Sequence, residues 1–364
     1  MSTVTLLPNT DFTADLFERI SSARQSVFIS AFSFNVIEKT LQLPVRNLVR
    51  LLAAKRKAGI DVRVIAGTSR KTDPTRPMQP LDVNNEVTLS LLEALGVPVA
   101  FHQDARYGSS HRKYVLVDER YSLIGSHNLS PRALSVGNDD SVEVDDEATG
   151  KALARIFRAD WSAATRLRAA DRVMVDVSLL SRQAETQGHG KVGRRIEGCT
   201  VELLFDRAYF TAVLAALDAA VRSIDVAMFY FGKSRSASAM TSKLAAALIR
   251  AHARGVKVRV ILDVDQPGAI FRSEQANTAR LEQLRAAGIE VAFDDPASAM
   301  HSKLVVVDGE ASFVGSHNWT EGSVSKYREL SVRVQSRKVA AAYGKALDRR
   351  HAAARDDVAG VRAG

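Results

Sequence analysis

The chain is poor in the features that mark secreted, membrane-spanning or disordered proteins. It has one cysteine, Cys199, in 364 residues, so no intrachain disulfide can form, and a reducing cytoplasm is the expected compartment. Export by a route without a cleaved signal stays open. No apolar run approaches the roughly 18 residues of a membrane span. The opening MSTVTLLPNTDFTADLFERI lacks a basic start followed by an apolar stretch, so no secretory signal is read in it. Basic runs interleaved with aromatics, the mark of single-strand nucleic-acid binders, are also missing.

What is present is an ordinary globular composition, 46% hydrophobic and 25% charged. The length is large for one core and suits two domains or two fused repeats. A net charge of +9 favours anionic partners: nucleic acid, an acidic membrane surface or phosphorylated small molecules.

The repeat is visible in the order of elements. Ser26–Phe32 and Ile224–Tyr230 are apolar, strand-like runs, each preceded by an amphipathic helical stretch. Each is followed by a helix closed by glycine and a new strand: Gly59 then Ile60–Ile65, and Gly255 then Val256–Leu262. A third such unit turns at Gly96 and at Gly288. Alternating helices and short β-rich runs predict an α/β protein of two similar α/β/α lobes. The boundaries expected are an N-terminal lobe over 1–180, a polar, Gly-containing linker over 181–198, a C-terminal lobe over 199–355 and a tail over 356–364. Loops that differ between the halves, Thr68–Asn85 and Val264–Asn277, are where selectivity would reside.

Each half then carries the same polar set. His111, Lys113, Asp118, Gly125, Ser126 and Asn128 recur as His301, Lys303, Asp308, Gly315, Ser316 and Asn318, about 190 residues later. The spacing predicts a hairpin in which His and Lys, two residues apart on a strand, share a face. The glycines allow close backbone approach to a ligand, and the Ser and Asn side chains add neutral donors. If the two motifs meet, the site holds two imidazoles, two ammonium groups and two amides. That set suits phosphodiester cleavage: one neutral imidazole attacks phosphorus, the other handles the proton, and lysines and asparagines stabilise the charged oxygens. No cofactor is called for. A zinc site is disfavoured, because carboxylate or cysteine ligands at metal spacing are missing and the lysines would repel the ion. Asp118 and Asp308, at the turns, are expected to brace the motif.

The two His-x-Lys-x4-Asp motifs with their trailing Gly-Ser-x-Asn resemble those of the phospholipase D superfamily, and the duplication extends the resemblance over nearly the whole chain. The resemblance implies lobes related by a pseudo-twofold axis, a site at their interface, metal-independent chemistry and a covalent phosphohistidine. It further implies His111 as nucleophile and His301 as general acid/base. Family members often carry Asn-x-Glu downstream, whose acid orients a motif histidine; Glu329 and Asp140 are the candidates here. Two motifs in one chain favour lipid-acting members and make one complete site within a monomer. The expected substrate is therefore a phospholipid, hydrolysed or transferred to an alcohol, reached by peripheral contact with an anionic membrane surface, with the apolar Ala269-Ile270-Phe271 and the Met228–Phe231 strand end placed to face an acyl chain. A metal-independent nuclease acting on DNA or RNA is the alternative, and a non-catalytic phosphate-binding module a third.

Overall fold

The computed structural model of the chain describes residues 1–36, 43–68, 80–102, 104, 106–167, 193–265, 272–297 and 299–354. The first half runs β1 (Ser2–Pro8), α1 (Thr10–Ser22), β2 (Ser26–Ala31), α2 (Leu43–Lys57), β3 (Asp61–Ala66), α3 (Pro80–Ala94), β4 (Val99–Phe101), β5 (Ser109–Ser110), β6 (Tyr114–Val117), β7 (Tyr121–Gly125), α4 (Pro131–Ser135), β8 (Asp140–Asp145), α5 (Glu147–Ala163) and β9 (Thr165–Arg166). The second half runs β10 (Arg195–Phe205), α6 (Arg207–Ala219), β11 (Ser223–Met228), α7 (Met240–Ala253), β12 (Lys257–Leu262), α8 (Ser273–Ala286), β13 (Glu290–Phe293), β14 (Lys303–Val307), β15 (Ala311–Gly315), α9 (Glu321–Ser325), β16 (Tyr327–Arg328), β17 (Leu330–Gln335) and α10 (Arg337–Ala353).

Strand order is β1-β8-β7-β6-β2-β3-β4-β9 in one half and β10-β17-β15-β14-β11-β12-β13 in the other, the same sequence of equivalents with β9 added at the edge of the first. Three strands of each half, β2-β3-β4 and β11-β12-β13, are parallel and the helices between them make the crossovers. The halves join where β1 pairs antiparallel with β10, Ser2 opposite Cys199. The last four residues of the linker expected over 181–198, Arg195–Gly198, belong to β10. Residues 181–192, the tail 356–364 and the loop segments 69–79 and 266–271, with Ala269, Ile270 and Phe271, lie outside the described residues.

Alternation along the strands divides the core. In β6, Val115 and Val117 pack under the helices of their own half, while Tyr114 and Leu116 face a third cluster shared by both halves. In β14, Val305 and Val307 face their own helices, and Leu304 and Val306 face the shared cluster. That shared cluster, which includes Phe28, Ile124, Phe157, Val314, Leu330 and Tyr343, joins the lobes. No described helix is long and apolar enough to cross a membrane.

Both motif hairpins turn with positive φ at consecutive residues, Asp118 (52°) and Glu119 (50°), Asp308 (55°) and Gly309 (62°), as the favoured hairpin turn requires. The motif aspartates are held there by the chain itself. Asp118 accepts from the backbone N–H groups of Arg24, Gln25 and Ser26, and Asp308 from those of Val221, Arg222 and Ser223. They tie each hairpin to the start of β2 or β11, at the strand end remote from His and Lys.

Candidate active site

The site lies at the other end of these strands, where β6 and β14 begin and β2, β7, β11 and β15 end. Two short contacts close the halves over it. β5 pairs with β16, and Asn138 bridges to Met300. The backbone N–H of His111 donates to the Arg328 carbonyl (2.8 Å), and that of His301 to the Asn138 carbonyl (2.9 Å). Each motif histidine is therefore anchored to the opposite half by its own main chain.

The side chains repeat the crossing. His111 Nδ1 lies 2.9 Å from Glu329 Oε2, and His301 Nδ1 lies 2.8 Å from Asp139 Oδ1. Both carboxylates are buried. A carboxylate facing Nδ1 fixes the proton there and leaves the Nε2 lone pair for chemistry. Glu329 is thus placed as an orienting acid. Asp140 is not: it meets Arg350 Nη1 at 2.7 Å and accepts from Ser302, while its neighbour Asp139 takes the equivalent position. The motif serines serve these acids rather than standing beside the His–Lys pair. Ser126 Oγ donates to Asp139 (2.7 Å) and Ser316 Oγ to Glu329.

Lys113 Nζ donates to the His111 carbonyl (2.9 Å) and Lys303 Nζ to the His301 carbonyl (2.6 Å). Both lysines are buried. Burial pushes Lys303 down to about 7 despite Asp139 and Glu329, and pushes Lys113 down as well. Burial and the lysine charges also lower both motif histidines, His111 well below its usual range and His301 to about 3. Burial works against the charge of Asp139, yet the His127 and His301 rings and hydrogen bonds from His301 and Ser126 hold it well below the usual carboxylate range. Burial raises Glu329, against the pull of His317 and Lys113. At rest the two imidazoles are therefore neutral, and the two lysines, desolvated and close to one another, give up their protons more readily than free lysines. The amide oxygens of Asn128 and Asn318 are buried without a hydrogen-bond partner, and such orphans are uncommon unless a ligand completes them.

Gly125 and Gly315 have a different reason from the ligand approach expected of them. A Cβ on Gly125 would stand 1.8 Å from Ser141 Oγ, and one on Gly315 2.2 Å from Ser331 Oγ. The glycines make room for the adjacent strand. Those serines in turn hold the other repeated histidines: His127 Nδ1 to Ser141 Oγ at 2.7 Å, His317 Nδ1 to Ser331 Oγ at 2.8 Å. Their Nε2 atoms face the carbonyls of Asn9 and Asp206, both at 2.9 Å. A carbonyl only accepts, so Nε2 carries the proton and both ring nitrogens are spent. His127 and His317 are structural.

Sequence reasoning missed Asp139, although the 190-residue offset of the motifs carries Glu329 onto it. It also missed two arginines that join the halves, Arg112 fully buried and Arg350 partly so. Arg112 Nη1 meets Asp160 at 2.6 Å and its Nη2 reaches Asp206 at 3.5 Å, while Arg350 spans Asp140 and Asn138.

Comparisons with known proteins bear on the family and the fold. The family model described as "Cardiolipin synthase, PLD-like domain" matches residues 16–161 and 213–351, one match in each half. The mitochondrial cardiolipin hydrolase of Xenopus tropicalis is 32% identical over 151 residues, 42% of this chain and 65% of that protein. The human mitochondrial cardiolipin hydrolase is 33% identical over 133 residues, 36% of this chain and 47% of that protein. The probable cardiolipin synthase YwiE of Bacillus subtilis is 22% identical over 346 residues, 91% of this chain and 62% of that protein. The chain thus spans less than two thirds of the length of these curated relatives. In fold, phosphatidylserine synthase of Haemophilus influenzae superposes with a TM-score of 0.70 over 96% of this chain and 86% of that one, at 12% identity. With its family domain matched twice, and a His–Lys pair from each match meeting at one interface, the chain belongs to the phospholipase D superfamily.

Proposed function

We propose that the chain is a phosphodiesterase that acts on phospholipids through a covalent phosphohistidine. The observation that carries this reading is the pair of imidazoles, each held at Nδ1 by a carboxylate of the opposite half with a lysine alongside. His111 Nε2 attacks phosphorus and forms the N–P bond as the P–O bond to the leaving alcohol breaks. Burial and, after it, the lysine charges keep His301 unprotonated at rest; the anionic diester offsets those charges, so His301 binds a proton in the complex and gives it to the leaving oxygen. It then takes a proton from water or an alcohol, which attacks phosphorus and frees His111. Asp139, held as an anion, stabilises the imidazolium form of His301 during this cycle. Lys113, Lys303, Asn128 and Asn318 face the equatorial oxygens, whose charge grows in the transition state.

The phospholipid substrate is supported by the cardiolipin hydrolases and synthase among the relatives. Their names leave hydrolysis and phosphatidyl transfer both in view. The test is turnover in chelator-containing buffer of cardiolipin and phosphatidylglycerol vesicles, with single- and double-stranded DNA and RNA in parallel, each against His111→Ala. Lipid turnover lost in the variant is the expected result, and ethanol added to the assay reveals transfer as phosphatidylethanol. Cleavage of nucleic acid alone would overturn the lipid reading and leave the phosphodiesterase chemistry standing.

A further inference from the structure

Phe32 and Phe229 occupy equivalent places, each the first residue past its strand, after β2 and after β11. The sequence suggested that the Met228–Phe231 strand end could face an acyl chain. Instead Phe231 is fully buried against Trp319, and Phe229 lies in the site with its partner from the other half. Phe32 meets the His111 ring at 69° with centroids 4.5 Å apart; Phe229 meets His301 at 66° and 4.8 Å. The same two rings carry the lysines. Lys113 Nζ is 4.9 Å from the Phe32 centroid, and Lys303 Nζ is 4.8 Å from that of Phe229.

We infer that Phe32 and Phe229 are positioning residues for catalysis, each holding the motif lysine as a cation over its ring face while leaving the ammonium free to bind phosphate. An ammonium has three protons. One goes to the carbonyl of the motif histidine, and the ring flanks a second side. A carboxylate in the ring's place would hold the lysine more tightly but would neutralise it before substrate arrived. An aliphatic side chain would exclude water equally well and give the cation nothing. The aromatic face stabilises positive charge in a desolvated site without offering a competing anion. The two lysines repel each other here, which makes that support matter in the empty enzyme. Its recurrence in both halves, with separations that agree to 0.1 Å for the lysines, is not what two unrelated packing contacts would give.

The inference rests on the phosphodiesterase reading, and its test keeps the two apart. Phe229→Leu, Phe32→Leu and the matching Tyr variants are compared using a p-nitrophenyl phosphodiester, together with NMR titration of 15Nζ-labelled lysine in the full chain. Leu is expected to lower kcat about 3- to 30-fold, the span of cation–ring contacts from exposed to desolvated. It should also shift the titration of the neighbouring lysine to lower pH, and Tyr should restore both. Wild-type titration in the Leu variants, or Leu and Tyr variants failing alike, would overturn the inference. A wild-type chain inactive on the diester would count against the activity alone, because the lysine titration still decides the role of the rings. If Phe229→Leu does not fold, Phe32→Leu carries the same comparison in the other half.

Discussion

Exchange of Asp139 for asparagine tests the crossed arrangement directly. The variant is isosteric, and its amide oxygen can still accept from Ser126 and from His301, so the fold should hold. What is lost is the charge on a buried acceptor 2.8 Å from His301 Nδ1. A hydrogen bond to a charged group contributes about 1.5–3 kcal/mol. The His301 imidazolium needs that counter-charge more than the resting neutral ring does, so the loss falls on the transition state. At about 1.36 kcal/mol per decade, kcat should fall roughly 10- to 150-fold with little change in KM. Histidine 15N spectra show where the perturbation lands: in Asp139→Asn the His301 ring signals should move and those of His111 stay. Glu329→Gln should do the opposite. Movement of His111 signals in Asp139→Asn with His301 unaffected, or a kcat loss below about threefold, would refute the assignment of each acid to the other half's histidine.

Three further outcomes are expected. Binding of a soluble, non-hydrolysable diester should weaken above about pH 7, because Lys303 grips the phosphate as a cation and burial pushes it down to about 7; affinity that stays level up to about pH 9 would contradict this. His317→Ala should cost about 3–5 kcal/mol in denaturant unfolding, since it opens a cavity beside Tyr209 and orphans the Asp206 carbonyl, while kcat of the folded protein stays within about threefold of wild type. Gly125→Ala should destabilise by about 3 kcal/mol or more, because its Cβ would meet the Ser141 backbone at 2.5 Å, and a stability scan showing less than about 1 kcal/mol would disprove the close-packing account.

The hairpin and its motif were legible because their signals are local. A period of two, a turn pair and a fixed spacing are written within about 20 residues, and β7 and β15 fall where the pattern puts them. The start of β10 was not legible. Arg195, Glu197 and Gly198 are exposed around a single buried Ile196, and what makes them a strand is backbone pairing with β1, nearly 200 residues away. Asp139 was missed in favour of Asp140 because the family's Asn-x-Glu spacing was used in place of the chain's own repeat. That Glu329 serves His111 and Asp139 serves His301 is written in no local pattern. It depends on how the lobes face one another, as do the ion pairs of Arg112 and Arg350. Phe229 was read as apolar lining because hydrophobicity identifies a ring and does not identify the cation above it.

The exchange of carboxylates between the halves makes the site a coincidence detector for its own assembly. In a cleft whose histidine and acid belong to one lobe, a small opening weakens substrate contacts and spares the catalytic groups. Here any separation of the lobes strips His111 and His301 of their acids at the same instant, and withdraws the backbone carbonyls that hold them. A half-open molecule therefore has no half-competent histidine with which to react wrongly. The same reciprocity means that neither half, produced alone, would hold one correctly poised imidazole, and that mixing the halves should restore both or neither.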